Sequence, residues 1–140
     1  MKLTLLKNNF KSGLTAVEKA VSENLTLPIL KNVLIKTFNN RIKIVATNLE
    51  LGISSLISGK IIEEGEISVP FGILYGIINN IDSEKINLES EKNNLLIKTD
   101  NYKANIQGIT SEEFPIIPKL ENTDYYLEIN GDVLKNSLLK

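Results

Sequence analysis

The chain has 140 residues, 16 Lys+Arg against 17 Asp+Glu, a net charge of -1, and no Cys, His or Trp. Without Cys there is no disulfide or thiolate metal site, and without His there is no imidazole general base. The near-neutral balance gives no overall basic field to draw in nucleic acid. At 42% hydrophobic residues the chain has enough apolar material for one domain with a true core, and the composition points to a soluble, cytoplasmic protein that is not an enzyme and uses no cofactor or metal.

The opening Leu3-Thr4-Leu5 alternates as a strand. Asn8 or Asn9 is placed to cap a helix that carries Phe10, Leu14, Val17 and Val21 on one face and Asn8, Ser12, Thr15 and Lys19 on the other, with Lys11 on the flank. Pro28 rules out helix around it, so residues 23–32 form a connector. Three strand runs follow, over 31–38, 41–47 and 51–58. Asn39-Asn40 turns between the first two because Asn tolerates positive φ. The Glu63-Glu64-Gly65 cluster closes this group.

The pattern then restarts. Residues 66–69 form a strand, Pro70 opens a helix, and Phe71, Leu74, Ile77, Ile78 and Ile81 make its apolar stripe. Strand runs over 85–89, 95–99 and 102–109 follow. The order is strand, helix, three strands, twice over, with repeats at about 1–60 and 65–110. A third copy opens at Leu127-Glu128-Ile129. In all three copies apolar helix anchors stand five and nine residues after the strand: Phe10 and Leu14, Leu74 and Ile78, Leu134 and Leu138. This spacing points to duplication. It divides the chain into one complete unit, 1–118, and residues 119–140 as a linker and the start of a second, truncated unit.

No catalytic constellation emerges. Glu63-Glu64 and Glu112-Glu113 are adjacent pairs, whose side chains diverge on a strand, and Gly59, Gly65, Gly72 and Gly76 do not have the spacing of a phosphate loop. A duplicated α+β protein-interaction scaffold with no nucleic-acid role is one reading that the composition allows. Lysines confined to strands favour it, whereas lysines on a helix face favour contact with nucleic acid.

Short motifs carry a resemblance: Thr26-Leu27-Pro28-Ile29-Leu30 with Asn32, Ala46-Thr47-Asn48-Leu49-Glu50, Val69-Pro70, and Phe114-Pro115, all on the duplicated frame. In this order they resemble the first domain of bacterial sliding clamps, the beta subunits of DNA polymerase III. The resemblance implies an α+β DNA-clamp fold, with two helices lining a ring and two four-stranded antiparallel sheets outside. It also implies a non-catalytic processivity factor that closes as a homodimer around duplex DNA. The replicative polymerase and the clamp loader are held through later domains. The DNA-facing positions it implies are Lys7, Lys11, Thr15, Lys19, Asn24, Gly72 and Asn79. The ring interface it implies is the strand edge around Lys103, Ala104 and Ile106, together with Ile73. Asn24 stands where the family carries Arg, and Gly72-Ile73 where a basic pair is common, so phosphate-directed charge is reduced.

Overall fold

A computed structural model describes residues 1–23, 26–119 and 124–140. The first repeat gives β1 (Lys2–Leu6), α1 (Lys7–Val17), β2 (Asn32–Phe38), β3 (Arg41–Thr47), β4 (Gly52–Ile57) and β5 (Lys60–Glu63). The second gives β6 (Glu66–Pro70), α2 (Phe71–Asn80), β7 (Lys85–Glu91), β8 (Asn94–Lys98) and β9 (Lys103–Gln107). A last helix, α3, spans Gly131–Leu138. Short 3-10 turns lie at Glu18–Ala20, Pro28–Lys31 and Ser111–Glu113.

The strands form two antiparallel sheets, ordered β5-β1-β7-β8-β9 and β4-β3-β2-β6. The resemblance implied two four-stranded sheets; one of them has five. The additional strand is β5, whose Ile61 registers with Leu3 of β1. The chain reaches it at Gly59, where an added Cβ would lie 2.5 Å from the Ile42 side chain and 3.2 Å from the Thr4 carbonyl. A four-residue strand is too short to show a period in sequence.

Between the sheets lies one core. Phe10, Leu14 and Val17 from α1 and Leu74 and Ile78 from α2 are fully buried, against Leu3, Ile35, Ile42, Ile44, Ile86, Leu88 and Ile97 from the strands. The helix anchors of the first two copies are therefore core residues, whereas Leu134 and Leu138 of the third are exposed. Asn39 and Asn40 adopt φ of 47° and 58°, as a two-residue hairpin between right-twisted strands requires. Asn8 and Asn9 do not cap α1, because the helix begins one residue earlier. β1 runs directly into it, and the Lys7 amide donates to the Glu84 carbonyl at 2.8 Å instead of to a capping side chain.

The last strand run is shorter than its apolar pattern. β9 ends at Gln107, and the chain crosses to the second sheet, where the Ile109 amide donates to the Ser68 carbonyl at 2.9 Å. A second, smaller cluster of Leu34, Val45 and Phe114 with Ile29 and Ile117 seals the outer face of that sheet under residues 114–117. At the C-terminal end, Leu127-Glu128-Ile129 is not in a strand. A strand needs a neighbouring edge to satisfy its backbone, and the described residues from 124 onward are all exposed. α3 does form, capped by Asn130, whose Oδ1 accepts from the amides of Asp132 and Val133.

The crossing at Gly108 sets a stability test. A Cβ there would lie 2.2 Å from the Ser68 carbonyl oxygen, a backbone atom that cannot turn aside. Gly108→Ala should destabilise the domain by about 3 kcal/mol, read as a lower urea midpoint.

Candidate nucleic-acid interface

α1 and α2 lie side by side and antiparallel over the core. At one end the Lys7 ammonium donates to the Ile81 carbonyl just past the end of α2. One turn or more further along, the Thr15 and Tyr75 hydroxyls stand 3.2 Å apart. Thr15 also donates to the Lys11 carbonyl at 2.9 Å, so its single proton is engaged and Tyr75 is the donor between the helices. The Tyr75 ring is held by stacking on Phe71, with centroids 5.2 Å apart. Gly13 lets α1 sit close on the sheet: an added Cβ would lie 2.7 Å from Ile44 and 2.8 Å from Ile57.

What faces outward is polar and nearly uncharged. α1 and the turn after it expose Asn8, Lys11, Ser12, Thr15, Glu18 and Lys19; α2 exposes Gly72, Ile73, Gly76, Asn79 and Asn80. α2 contains no charged residue. Lys11, Thr15, Lys19, Gly72 and Asn79 are each exposed on the helix pair or the turn after α1. Lys7 differs: it is half-buried, and its ammonium compensates the negative end of α2. It braces the two helices. Asn24 lies outside the described residues. Tyr75 carries no local signal in the sequence: it stands between the apolar positions of α2, and only the packing of α1 beside it gives its hydroxyl a partner.

Most lysines sit elsewhere. Lys36, Lys43, Lys60, Lys85, Lys98 and Lys103 are on strands. On the outer face of the five-stranded sheet Glu89 pairs with Lys98 at 3.2 Å and with Lys2 at 3.8 Å. The Lys98 hydrogen bond, then the Lys2 charge, hold its carboxyl below the ordinary range. Its small contribution to stability is present above the unfolded carboxylate value and is lost as pH falls through the folded one.

At the implied ring edge the strand is where the motifs put it, and one side-chain role changes. β9 is an edge of the five-stranded sheet, with no strand paired on its outer side among the described residues. Ile106 opposes Leu95 and Ala104 opposes Ile97, and both partners face the core. Ile106 is only 3% exposed and belongs to that core, so it offers no apolar surface to a neighbour. Lys103, Asn105 and Gln107 point outward by the alternation of the strand. Ile73 is 55% exposed and Tyr102 is exposed beside the start of β9. Among the described residues no group of three acidic side chains is placed to hold a metal, and no helix is long and apolar enough to cross a membrane.

Residues 1–118 match the family model of the DNA polymerase III beta subunit, N-terminal domain. The chain belongs to the DNA polymerase III beta subunit family. The beta sliding clamp of Synechocystis sp. is 28% identical over 130 residues, 86% of this chain and 33% of the relative. That of Bacillus subtilis is 24% identical over 145 residues, 97% of this chain and 38% of the relative. The solved DNA polymerase III beta subunit of Thermotoga maritima superposes with a TM-score of 0.79 at 26% identity, over 86% of this chain and 33% of that one. The solved sliding clamp of Bacillus subtilis reaches 0.92 over 99% of this chain and 38% of that one, a likeness of fold at 22% identity. The chain thus spans about a third of the length of the curated relatives it matches.

The family fold leaves two glycines on the helix face without a packing reason. Nothing lies within 4 Å of a Cβ added at Gly72 or Gly76, and neither has positive φ. Gly72→Ala and Gly76→Ala should each stabilise the domain by about 0.5–1 kcal/mol, measured as a rise in melting temperature.

Proposed function

We propose that this chain supplies the first domain of a clamp ring that encloses duplex DNA, holds it without reading its sequence, and keeps a replicative polymerase on its template. The ring itself carries out no catalysis, and loader and polymerase bind through other domains. The observation that carries this reading is the face of the antiparallel helix pair. It is broad, polar and almost neutral, with Lys11 and Lys19 as its exposed cations and no charged residue on α2. Such a face holds phosphates loosely and lets DNA slide, while enclosure supplies retention.

Residues 119–140 are assigned in this reading to a linker and the start of a second unit of the same kind. Leu134 and Leu138 repeat the spacing of the buried anchors Phe10 and Leu14 and of Leu74 and Ile78, and both are exposed in this chain. The free edge of β9, with Ile73 and Lys103 beside it, is assigned to strand addition by a neighbouring protomer in a homodimeric ring.

Two measurements test the reading on the full-length protein. Removing both cations with Lys11→Ala and Lys19→Ala should flatten the slope of log affinity against log salt on short duplex DNA by about 1.8, close to 0.9 per phosphate contact. Gly72→Lys, for which there is room, should steepen it by about 0.9. Unchanged slopes in both would mean that the helix face does not meet DNA. Ile73→Asp should leave the domain folded and shift sedimentation of the ring toward monomer.

A further inference from the structure

Two hydroxyls meet at the seam between the helices. Thr15 Oγ1 on α1 and the Tyr75 hydroxyl on α2 stand 3.2 Å apart, against about 2.7–2.8 Å for an ordinary O–H···O bond. The bond that joins them is therefore weak, and its loss costs little. Both oxygens are nevertheless held in place. The Tyr75 ring packs on the core and stacks on Phe71, with planes 14° from parallel. The Thr15 side chain is β-branched, which stiffens it inside a helix, and its hydroxyl donates to the Lys11 carbonyl. That carbonyl also accepts from the Thr15 amide in the helix ladder, so it does not depend on the hydroxyl. Each hydroxyl proton can turn about its own C–O bond while the oxygens stay fixed.

The seam is open to solvent. Thr15 is exposed and Tyr75 half-buried. An open depression of about 460 Å³, lined by Asn8, Lys11, Ser12, Thr15 and Ala16, lies beside Thr15. Lys11 on α1 and Asn79 on α2 are both exposed. Each is one turn from its partner in the pair, toward the end where Lys7 meets Ile81. α2 itself brings no charge. A group that docks on this seam is met by hydroxyl and amide protons and by one nearby ammonium, which suits an anionic oxygen.

We propose that the Thr15–Tyr75 pair is an uncharged phosphate-binding site astride the two helices, in which both hydroxyls leave their present acceptors and donate to one phosphate oxygen of the duplex. An acceptor can lie about 2.7 Å from both hydroxyl oxygens at once, since they are closer together than twice that distance. The site rests on the reading that the helix face meets DNA, and it supplies a contact that does not weaken with salt. A neutral donor displaces no counterion, so it adds affinity without adding to the salt slope, unlike Lys11 and Lys19. The fixed oxygens keep the ordering cost of that contact low.

The test uses the full-length protein and short duplex DNA across a salt series. Tyr75→Phe keeps the ring and its stack, and Thr15→Val keeps the branched shape. Each should weaken binding about fivefold at every salt concentration and leave the slope of log affinity against log salt unchanged. With fluorotyrosine in place of tyrosine, the fluorine resonance that Tyr75→Phe removes should shift when DNA is added; a bond that only joins the helices would not move it. Unchanged affinity in both variants, with a lower melting temperature alone, reduces the pair to a brace and overturns the proposal. So does a flattened slope in Tyr75→Phe, because the hydroxyl would then act by placing Lys11. If Lys11→Ala with Lys19→Ala flattens the slope while Tyr75→Phe alters neither affinity nor resonance, the helix face meets DNA without the hydroxyls, and this site alone is overturned. If none of the four substitutions alters binding, the reading of the helix face falls with it.

Discussion

The architecture depends on a steric constraint at two points where the chain passes from one sheet to the other. At Gly59 it leaves β4 for β5, between Ile42, Leu5 and the Thr4 carbonyl; at Gly108 it leaves β9 for the edge of β6, against the Ser68 carbonyl. At Gly108 no side chain fits, and at Gly59 one would displace Ile42 and crowd Leu5 and the Thr4 carbonyl. The consequence is an interleaving of the two repeats. The five-stranded sheet takes β1 and β5 from the first and β7, β8 and β9 from the second; the four-stranded sheet takes β2, β3 and β4 from the first and β6 from the second. Neither half of the duplication can close a core alone. The side-by-side placement of α1 and α2, with the Lys7 brace to Ile81 and the Tyr75–Thr15 bond, follows from that interleaving.

The features that were legible in the sequence are those governed by local period. Four-and-three spacing placed Phe10, Leu14, Leu74 and Ile78 in the core, and Asn39-Asn40 marked a hairpin whose residues do take positive φ. The features that were not legible depend on which element meets which. β5 is four residues long, and its identity as a strand comes from the β1 edge it pairs with. The resemblance implies a DNA-facing Lys7, and nothing local in the sequence shows that the end of α2 comes to lie beside it. Ile106 is the clearest case. Alternation says that Ala104 and Ile106 share a face, but the face of an edge strand can turn toward its own core or toward a neighbour. Only the register against Leu95 and Ile97 decides it.

The exposed face of α2 is under no such steric constraint. Its low charge is not forced by packing: an added Cβ at Gly72 or Gly76 meets open space, and both glycines lie inside a ten-residue helix, where each costs roughly 0.5–1 kcal/mol relative to alanine. The helix offsets this through its buried stripe, the Phe71–Tyr75 stack and the Asn80 amide, which donates to the Gly76 carbonyl at 2.7 Å. Its apolar face fixes where it lies, and its outer face is left to weak polar contacts. A protein that held its ligand by charge could not tolerate that economy of cations, because each missing phosphate contact lowers affinity at physiological salt. A protein that holds it by enclosure can, and a face with fewer fixed charges presents fewer barriers to movement along the duplex.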